Sequence, residues 1–275
     1  MRYATFLEES LKKAGALAIK NFGKVQGTTK PNDNNQVLTQ TDLQIGSFLI
    51  EQIKEYYPIY NIIDEEAGII DNKSEYTWII DPIDGTSNFA AGIPTYGIML
   101  GLLKGDIPIA GGMSNPYYNQ ICIAEQGQGA YLNREKISVT DERKLQNCLL
   151  AYHIDGHQEN PQQTRKEAEL MAEIILRIRN LRTSGSEPID ALYVASGNYG
   201  GLLNQTMKIW DVVAPQIIIQ EAGGQYTDFL GKAIDYSNPV SKTSSNFTCC
   251  AAAPALHSQI QEIIKNTNMP NTQRN

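Results

Sequence analysis

The sequence predicts an α/β fold of the layered α+β kind, with helices stacked on sheets, and three patterns predict it. Apolar residues recur at helical spacing near both ends of the chain and through its second half. Between residues 62 and 124 they fall instead into short runs separated by Gly, Pro or Asn, as strands and turns do. Helices before and after a block of strands, followed by mixed elements, bury their apolar faces best as stacked layers.

Taken in order, residues 3–21 read as a helix, with Phe6, Leu7, Ala14, Leu17 and Ala18 on one side. Residues 22–40 are rich in Gly, Thr, Asn and Lys around Pro31, which fits a mobile hairpin or loop. A second helix is expected over residues 42–57, capped by Thr41 or Asp42, with Pro58 just beyond its end. Strands follow at residues 62–63, 78–80, 97–103, 109–113 and 120–124, and a hairpin at 127–140. The second half reads as a strand at 149–153, a charged helix at 165–179, a helix at 187–196 and a strand at 202–205. A helix at 212–222 then stops at Gly223-Gly224, before a strand at 248–253 and a last helix from Ala255. From Asn266 the tail is polar and expected to fray. No internal repeat is visible, and the natural division is into halves 1–145 and 146–275 of one catalytic unit.

The chemistry concentrates where apolar runs end in acids. Trp78-Ile79-Ile80 runs into Asp81 and Asp84, then Gly85, Thr86 and Ser87. Pro82 lacks a backbone donor and has a fixed φ, so the strand is expected to stop and turn there. Two carboxylates aimed into one volume raise each other's pKa unless a cation sits between them, and a hard divalent cation with oxygen ligands removes the conflict. The N–H groups of Gly85 and Thr86 suit a phosphate. Ile62-Ile63 likewise ends in Asp64, Glu65 and Glu66. Asp211 stands at a helix start and reads as its N-cap, a rigidly held carboxylate. Acids beside a phosphate cradle point to metal-assisted phosphate chemistry.

These residues carry a resemblance. The stretch Trp78-Ile-Ile-Asp-Pro-Ile-Asp-Gly-Thr-Ser-Asn-Phe89, the upstream Glu65-Glu66 pair, and Trp210-Asp211 followed by Glu221-Ala-Gly-Gly224 resemble the inositol monophosphatase family, within the lithium-sensitive, magnesium-dependent phosphatases. Gly129-Ala-Tyr-Leu-Asn133 is a weaker match, and order and spacing agree from about residue 5 to 265. The resemblance implies an α-β-α-β-α sandwich of the inositol monophosphatase / fructose-1,6-bisphosphatase type, with the site between the halves. It implies a cage of Glu65, Asp81, Asp84 and Asp211 with the Ile83 carbonyl, holding two or three Mg²⁺. Glu65, Asp81 and Ile83 would take the first ion, and Asp81, Asp84 and Asp211 the second. Thr86 and Glu65 would orient the attacking water, with Asp42 nearby. A third, weaker ion is expected near Asp42 or Glu66, and Lys30 is expected to reach the site when its loop closes. A homodimer, inhibition by Li⁺ and a small phosphorylated metabolite as substrate are also implied.

Substrate-binding candidates are Gly85, Thr86, Ser186, Glu187, Asn204 and Asp211. Here the sequence departs from the family. Inositol-binding members carry a glutamate seven residues before the Trp-Asp aspartate, where this chain has Asn204, and a Gly-Ser-Ala-Ala-like loop reads Gly185-Ser186-Glu187-Pro188. An amide lacks the charge-assisted grip of a carboxylate on a hydroxyl. Inositol 1-phosphate is thus one candidate beside sugar phosphates, fructose 1,6-bisphosphate, histidinol phosphate and 3′-phosphoadenosine 5′-phosphate. A non-catalytic dimeric binding protein is the reading from another class, and the intact acids weigh against it.

The remaining features are bland. A net charge of −7 offers no basic footprint for nucleic acid. No apolar run approaches the roughly 20 residues of a membrane span. The N-terminus lacks a signal-peptide core, which leads to the expectation of a cytoplasmic protein. The four cysteines sit in apolar stretches with no CxxC and read as buried thiols. His153, His157 and His257 have no ligand spacing and read as ordinary surface or core histidines, so neither zinc nor a Ser-His-Asp triad is assigned. Thr28-Thr29-Lys30 lacks the glycines of a phosphate-binding loop.

Overall fold

The computed structural model describes residues 2–25, 27–30 and 33–267, with residues 30 and 33–37 described through their backbone alone. In chain order the elements are α1 (Ala4–Asn21), β1 (Thr28–Lys30), β2 (Asp33–Leu38), α2 (Gln40–Tyr56), β3 (Asn61–Asp64), β4 (Gly68–Ile70), β5 (Tyr76–Asp84) and α3 (Thr86–Ala91). Then come β6 (Gly97–Lys104), β7 (Ile107–Asn115), β8 (Gln120–Glu125), β9 (Gly129–Leu132), β10 (Glu135–Ile137), β11 (Leu149–His153) and α4 (Pro161–Ile175). The chain closes with β12 (Asn180–Arg182), α5 (Glu187–Ala195), β13 (Gly201–Met207), α6 (Ile209–Glu221), β14 (Gln225–Thr227), β15 (Phe247–Ala252) and α7 (Pro254–Asn266).

These elements stack as five layers. An eight-stranded sheet has the order β10-β9-β8-β7-β6-β5-β3-β4, and a five-stranded sheet the order β12-β11-β13-β15-β14. Helices α1 and α2 cover the outer face of the larger sheet, burying Leu7, Leu11, Ile45, Leu49 and Ile53 against Trp78 and Ile80. Helices α5 and α6 fill the space between the sheets, and α4 and α7 cover the outer face of the smaller one with Leu170, Ile174, Leu256 and Ile260. The α-β-α-β-α sandwich implied by the resemblance is the observed architecture.

Helix α6 explains the glycines of the neighbouring strands. It buries apolar residues on more than one side, Val212, Val213, Ala214, Ile217, Ile218 and Ile219, because it has a sheet on either side. It lies so close that a Cβ at Gly101 would sit 2.7 Å from Val213 and one at Gly111 2.6 Å from Ile217.

Several expectations change. Pro82 does not end its strand: β5 continues to Asp84, and its pairing with β6 shifts register between Asp81, opposite Met99, and Asp84, opposite Gly97. An extra residue in a bulge needs no ladder hydrogen bond, so the missing donor of proline is tolerated there. Helix α2 begins earlier than expected, with Thr39 as cap and Asp42 in the first turn. Helix α6 begins after Lys208, so Asp211 is also a first-turn residue rather than the cap. Helix α4 starts four residues early, with Pro161 at its first position, where its missing N–H costs nothing. The segment expected to be a mobile hairpin or loop forms the antiparallel pair β1–β2. Residues 26, 31 and 32, the Lys30 side chain and the tail beyond residue 267 lie outside the described residues. All four cysteines are buried free thiols. Among the described residues no helix is long and apolar enough to cross a membrane.

Candidate active site

Four segments converge on one cluster of acids. The bulge at the end of β5 carries Asp81 and Asp84. Strand β3 pairs in parallel with β5, and Glu65 follows it with its N–H on the Ile80 carbonyl at 3.3 Å. Asp42 and Asp211 occupy equivalent places in two helices. Asp42 Oδ2 accepts the N–H of its cap, Thr39, at 2.9 Å, and Asp211 Oδ2 accepts the N–H of Lys208 at 2.6 Å. Each carboxylate is thus fixed by a helix start, with its second oxygen directed elsewhere.

Asp81, Asp84 and Asp211 each place a carboxylate oxygen within 4.8 Å of the others. The Oδ1 atom of buried Asp81 has no hydrogen-bond partner among the described residues. Burial, and then the charges of Glu65, Asp84 and Asp211, hold the Asp81 carboxyl well above the usual range. Burial and the charges of Asp84 and Glu65 do the same to Asp211. Asp84 is pushed up to about 6 by burial, against hydrogen bonds from Ser186 and Glu187 and the charge of His153. Crowded acids with an orphaned buried oxygen, and no nitrogen or sulfur donor in the triad, fit a hard divalent cation. Glu65 stands outside the tight triad but near enough to raise two of its members.

The water-activating candidates lie beside it. Thr86 opens α3, and its Oγ1 is 2.7 Å from the Ile83 carbonyl and 3.1 Å from Asp42 Oδ1. Gly85 before it adopts φ +79°, and a Cβ there would lie 3.0 Å from the Thr95 carbonyl and 3.1 Å from that of Gly185. Only glycine fits this turn without strain. Asn88 holds the opposing loop by donating to the carbonyls of Thr95 at 2.7 Å and Ser184 at 2.8 Å. Glu66 is half-buried, with its N–H on Asp64 Oδ1 at 2.9 Å.

The smaller sheet supplies the opposite wall. The N–H of Glu187, the first residue of α5, donates to Asp84 Oδ1 at 2.7 Å, and Ser186 Oγ lies 3.5 Å from the Asp84 carbonyl. The Glu187 side chain is buried and accepts from Asn204 Nδ2 at 3.2 Å. The fold thus brings Ser186, Glu187 and Asn204 into one chain of contacts leading from Asp84.

A family model described as the inositol monophosphatase family matches residues 2–268. The chain belongs to the inositol monophosphatase family. It is 30% identical over 258 residues to a fructose-1,6-bisphosphatase/inositol-1-monophosphatase of Aquifex aeolicus, covering 92% of this chain and 91% of that protein. It is 31% identical over 255 residues to an inositol monophosphatase of Mesembryanthemum crystallinum, covering 86% and 91%. Among solved structures it superposes on an IMPase from Thermotoga maritima with a TM-score of 0.84 at 27% identity, covering 97% of this chain and 98% of that one. Membership makes the protein a phosphatase.

Two residues beside the acids of this phosphatase escaped the sequence reading. His153 ends β11 with Nε2 2.5 Å from Asp190 Oδ2 and Nδ1 4.0 Å from Glu187 Oε2. Burial alone would lower its pKa, but the Asp190 hydrogen bond and the charges of Glu187, Asp190 and Asp84 raise it to about 9. Glu187 itself is pushed up to about 7, mainly by burial. The available signals were faint: a polar residue closing an apolar strand, and Asp190 three residues after Glu187 on one helix face.

Proposed function

We propose that this member of the family is a Mg²⁺-dependent phosphate monoester hydrolase acting on an inositol phosphate or a related small sugar or polyol phosphate. The convergence of Asp81, Asp84 and Asp211 within 4.8 Å of one another carries this reading. Those three, with Glu65 and the Ile83 carbonyl, would hold the cations. A bound divalent cation supplies positive charge that neutralises the phosphate and leaving alkoxide and lowers the pKa of water.

The chain's own groups do the rest. The N–H groups of Gly85 and Thr86 bind phosphate oxygens at the turn. The Thr86 hydroxyl has one proton and two acceptors, the Ile83 carbonyl and Asp42 Oδ1. Its donation to either leaves its lone pairs to accept from the attacking water, which Glu65 helps to orient. Asp211, Ser186, Glu187 and Asn204 border the leaving alcohol. The names of relatives, inositol monophosphatase and fructose-1,6-bisphosphatase/inositol-1-monophosphatase, support small phosphorylated sugars and polyols as the class.

The test is phosphate release from a panel of inositol 1-phosphate, fructose 1,6-bisphosphate, histidinol phosphate, 3′-phosphoadenosine 5′-phosphate and a simple aryl phosphate, with and without Mg²⁺. Mg²⁺-dependent turnover highest on the inositol or sugar phosphates is expected. Turnover that survives chelation, or preference for the nucleotide or histidinol ester, overturns the reading.

A further inference from the structure

Between the smaller sheet and α5 lies a charged cluster that neither cation binding nor water activation uses. His153 on β11 pairs in register with Asn204 on parallel β13, and Glu187 and Asp190 face them from α5. Glu187 is 2% exposed, Asp190 0% and Asn204 7%. These two buried carboxylates are met by the His153 imidazole, the Asn204 amide, the Ser184 N–H at 3.4 Å from Asp190 Oδ2 and the Cys249 thiol at 3.9 Å from Glu187 Oε1. His153 is the one cationic group among them, and a buried carboxylate without partners is costly. The contacts run in series: Asp190 Oδ2 to His153 Nε2 at 2.5 Å, His153 Nδ1 to Glu187 Oε2 at 4.0 Å, and Asn204 Nδ2 to the same Oε2 at 3.2 Å. The chain continues through the backbone, because the Glu187 N–H grips Asp84 Oδ1 at 2.7 Å. The side chain and the N–H of one residue thus link His153 to an acid of the triad.

We propose that His153 is a positioning residue of the site: clamped by Asp190 and set against Glu187, it anchors the first turn of α5, and through the Glu187 N–H it fixes the orientation of Asp84. His153 acts through another group and touches no acid of the triad. The effect needs a carboxylate at 187 and an imidazole at 153 together. Loss of the imidazole leaves Glu187 and Asp190 facing each other at the base of α5, so the helix start shifts and Asp84 loses its fixed donor. This inference rests on the reading of Asp84 as a cation ligand.

The experiment compares wild type, His153→Ala, Glu187→Gln and the double variant. Glu187→Gln keeps the size of the side chain while removing its charge. Calorimetric titration with Mg²⁺ reads cation affinity without turnover, assays on an aryl phosphate separate kcat from KM, and thermal melts report the fold. His153→Ala is expected to weaken Mg²⁺ about tenfold and lower kcat by a similar factor, with KM changed less than twofold. Because the two side chains act in one chain, the double variant should fall no further than the worse single one. His153→Gln, which keeps a donor of similar reach toward Asp190, should recover part of the loss, and it takes the place of the alanine variant if that fails to fold. A melt shifted with unchanged Mg²⁺ affinity and kcat, or losses that multiply in the double variant, overturns the inference. Failure of the wild type to bind Mg²⁺ overturns the cation-site reading beneath it. Normal wild-type binding with an unaffected His153→Ala overturns the role of His153 alone.

Discussion

Thr86 Oγ1 and Asp42 Oδ1 lie 3.1 Å apart, joining helices that start 46 residues apart in the chain (residues 40 and 86). Asp42 is buried, and burial raises its pKa against the hydrogen bonds from Thr39 and Thr86. The pair orients one hydroxyl without a histidine. Thr86→Ala is expected to fold and bind Mg²⁺ normally while kcat drops by roughly 10²–10³, the scale for losing a positioned catalytic group. Thr86→Ser should keep most of the activity. An unchanged kcat in the alanine variant would move the water-orienting role to another group.

The crowded acids predict an unusual pH dependence for the cation-free protein. Folding raises the pKa values of Asp81, Asp84 and Asp211, that of Asp84 to about 6. The folded chain therefore keeps protons that the unfolded chain has already lost, and stability falls as pH rises through the folded values. His153 acts in the same direction, since its contribution is lost as pH rises toward about 9. A tenfold difference in proton affinity between the folded and unfolded chain corresponds to about 1.4 kcal/mol. Chelated protein should melt lower at pH 7.5 than at pH 5.5, and Mg²⁺ should close or reverse the gap by binding the charged form. Acids held low, such as Asp235 at about 2, titrate below this window. A chelated Tm that rises from pH 5.5 to 7.5 contradicts the account.

Specificity should depend on positions 187 and 204 together. Asn204 Nδ2 donates to Glu187 Oε2 at 3.2 Å, so Asn204→Glu alone sets two buried carboxylates against each other. That variant should lose stability and activity on every ester. Glu187→Ala combined with Asn204→Glu should recover the fold and raise kcat/KM for inositol 1-phosphate, relative to an aryl phosphate, about tenfold or more, the worth of one charge-assisted hydrogen bond. A ratio unchanged in the double variant would remove this pair from the specificity argument.

Helix α1 has no local side-chain cap. Glu125, at the end of β8, supplies one from a distance by accepting the N–H groups of Arg2, Tyr3 and Ala4 at 2.7, 2.5 and 2.6 Å. Glu125→Ala should cost about 2–3 kcal/mol, enough to lower Tm by several degrees, with kcat unchanged within twofold. A melting temperature equal to wild type would show that solvent caps the helix equally well.

Legibility in the sequence followed locality. The acids of residues 81–84 and Thr86 could be read because strand, turn and hydroxyl lie within a few residues. The starts of α2 and α6 fall earlier than the pattern suggests because an aspartate suits both the cap and the first turn. Thr39 takes the cap of α2 with its hydroxyl accepting the Thr41 N–H at 3.2 Å, and Lys208 takes that of α6 without a side-chain cap bond. The strand through Pro82 continues because a bulge absorbs the missing donor, and the opposing register that makes the bulge is invisible locally. The short strands β4, β12 and β14 exist by pairing with neighbours rather than by pattern. His153 and Asp190 meet across 37 residues with no spacing signature, so only the fold brings them together.

The central claim is that the triad of acids holds the cation on which hydrolysis depends. The most direct measurement is turnover of inositol 1-phosphate against Mg²⁺ concentration for wild type and Asp81→Asn, paired with calorimetric Mg²⁺ titration of both. Asp81 shares the triad with Asp84 and Asp211 and carries a buried oxygen that no described residue satisfies. Saturable Mg²⁺ activation of the wild type is expected, with loss of both tight Mg²⁺ binding and turnover in a folded Asp81→Asn. Wild-type turnover by that variant, or hydrolysis by the native enzyme after complete chelation, contradicts it.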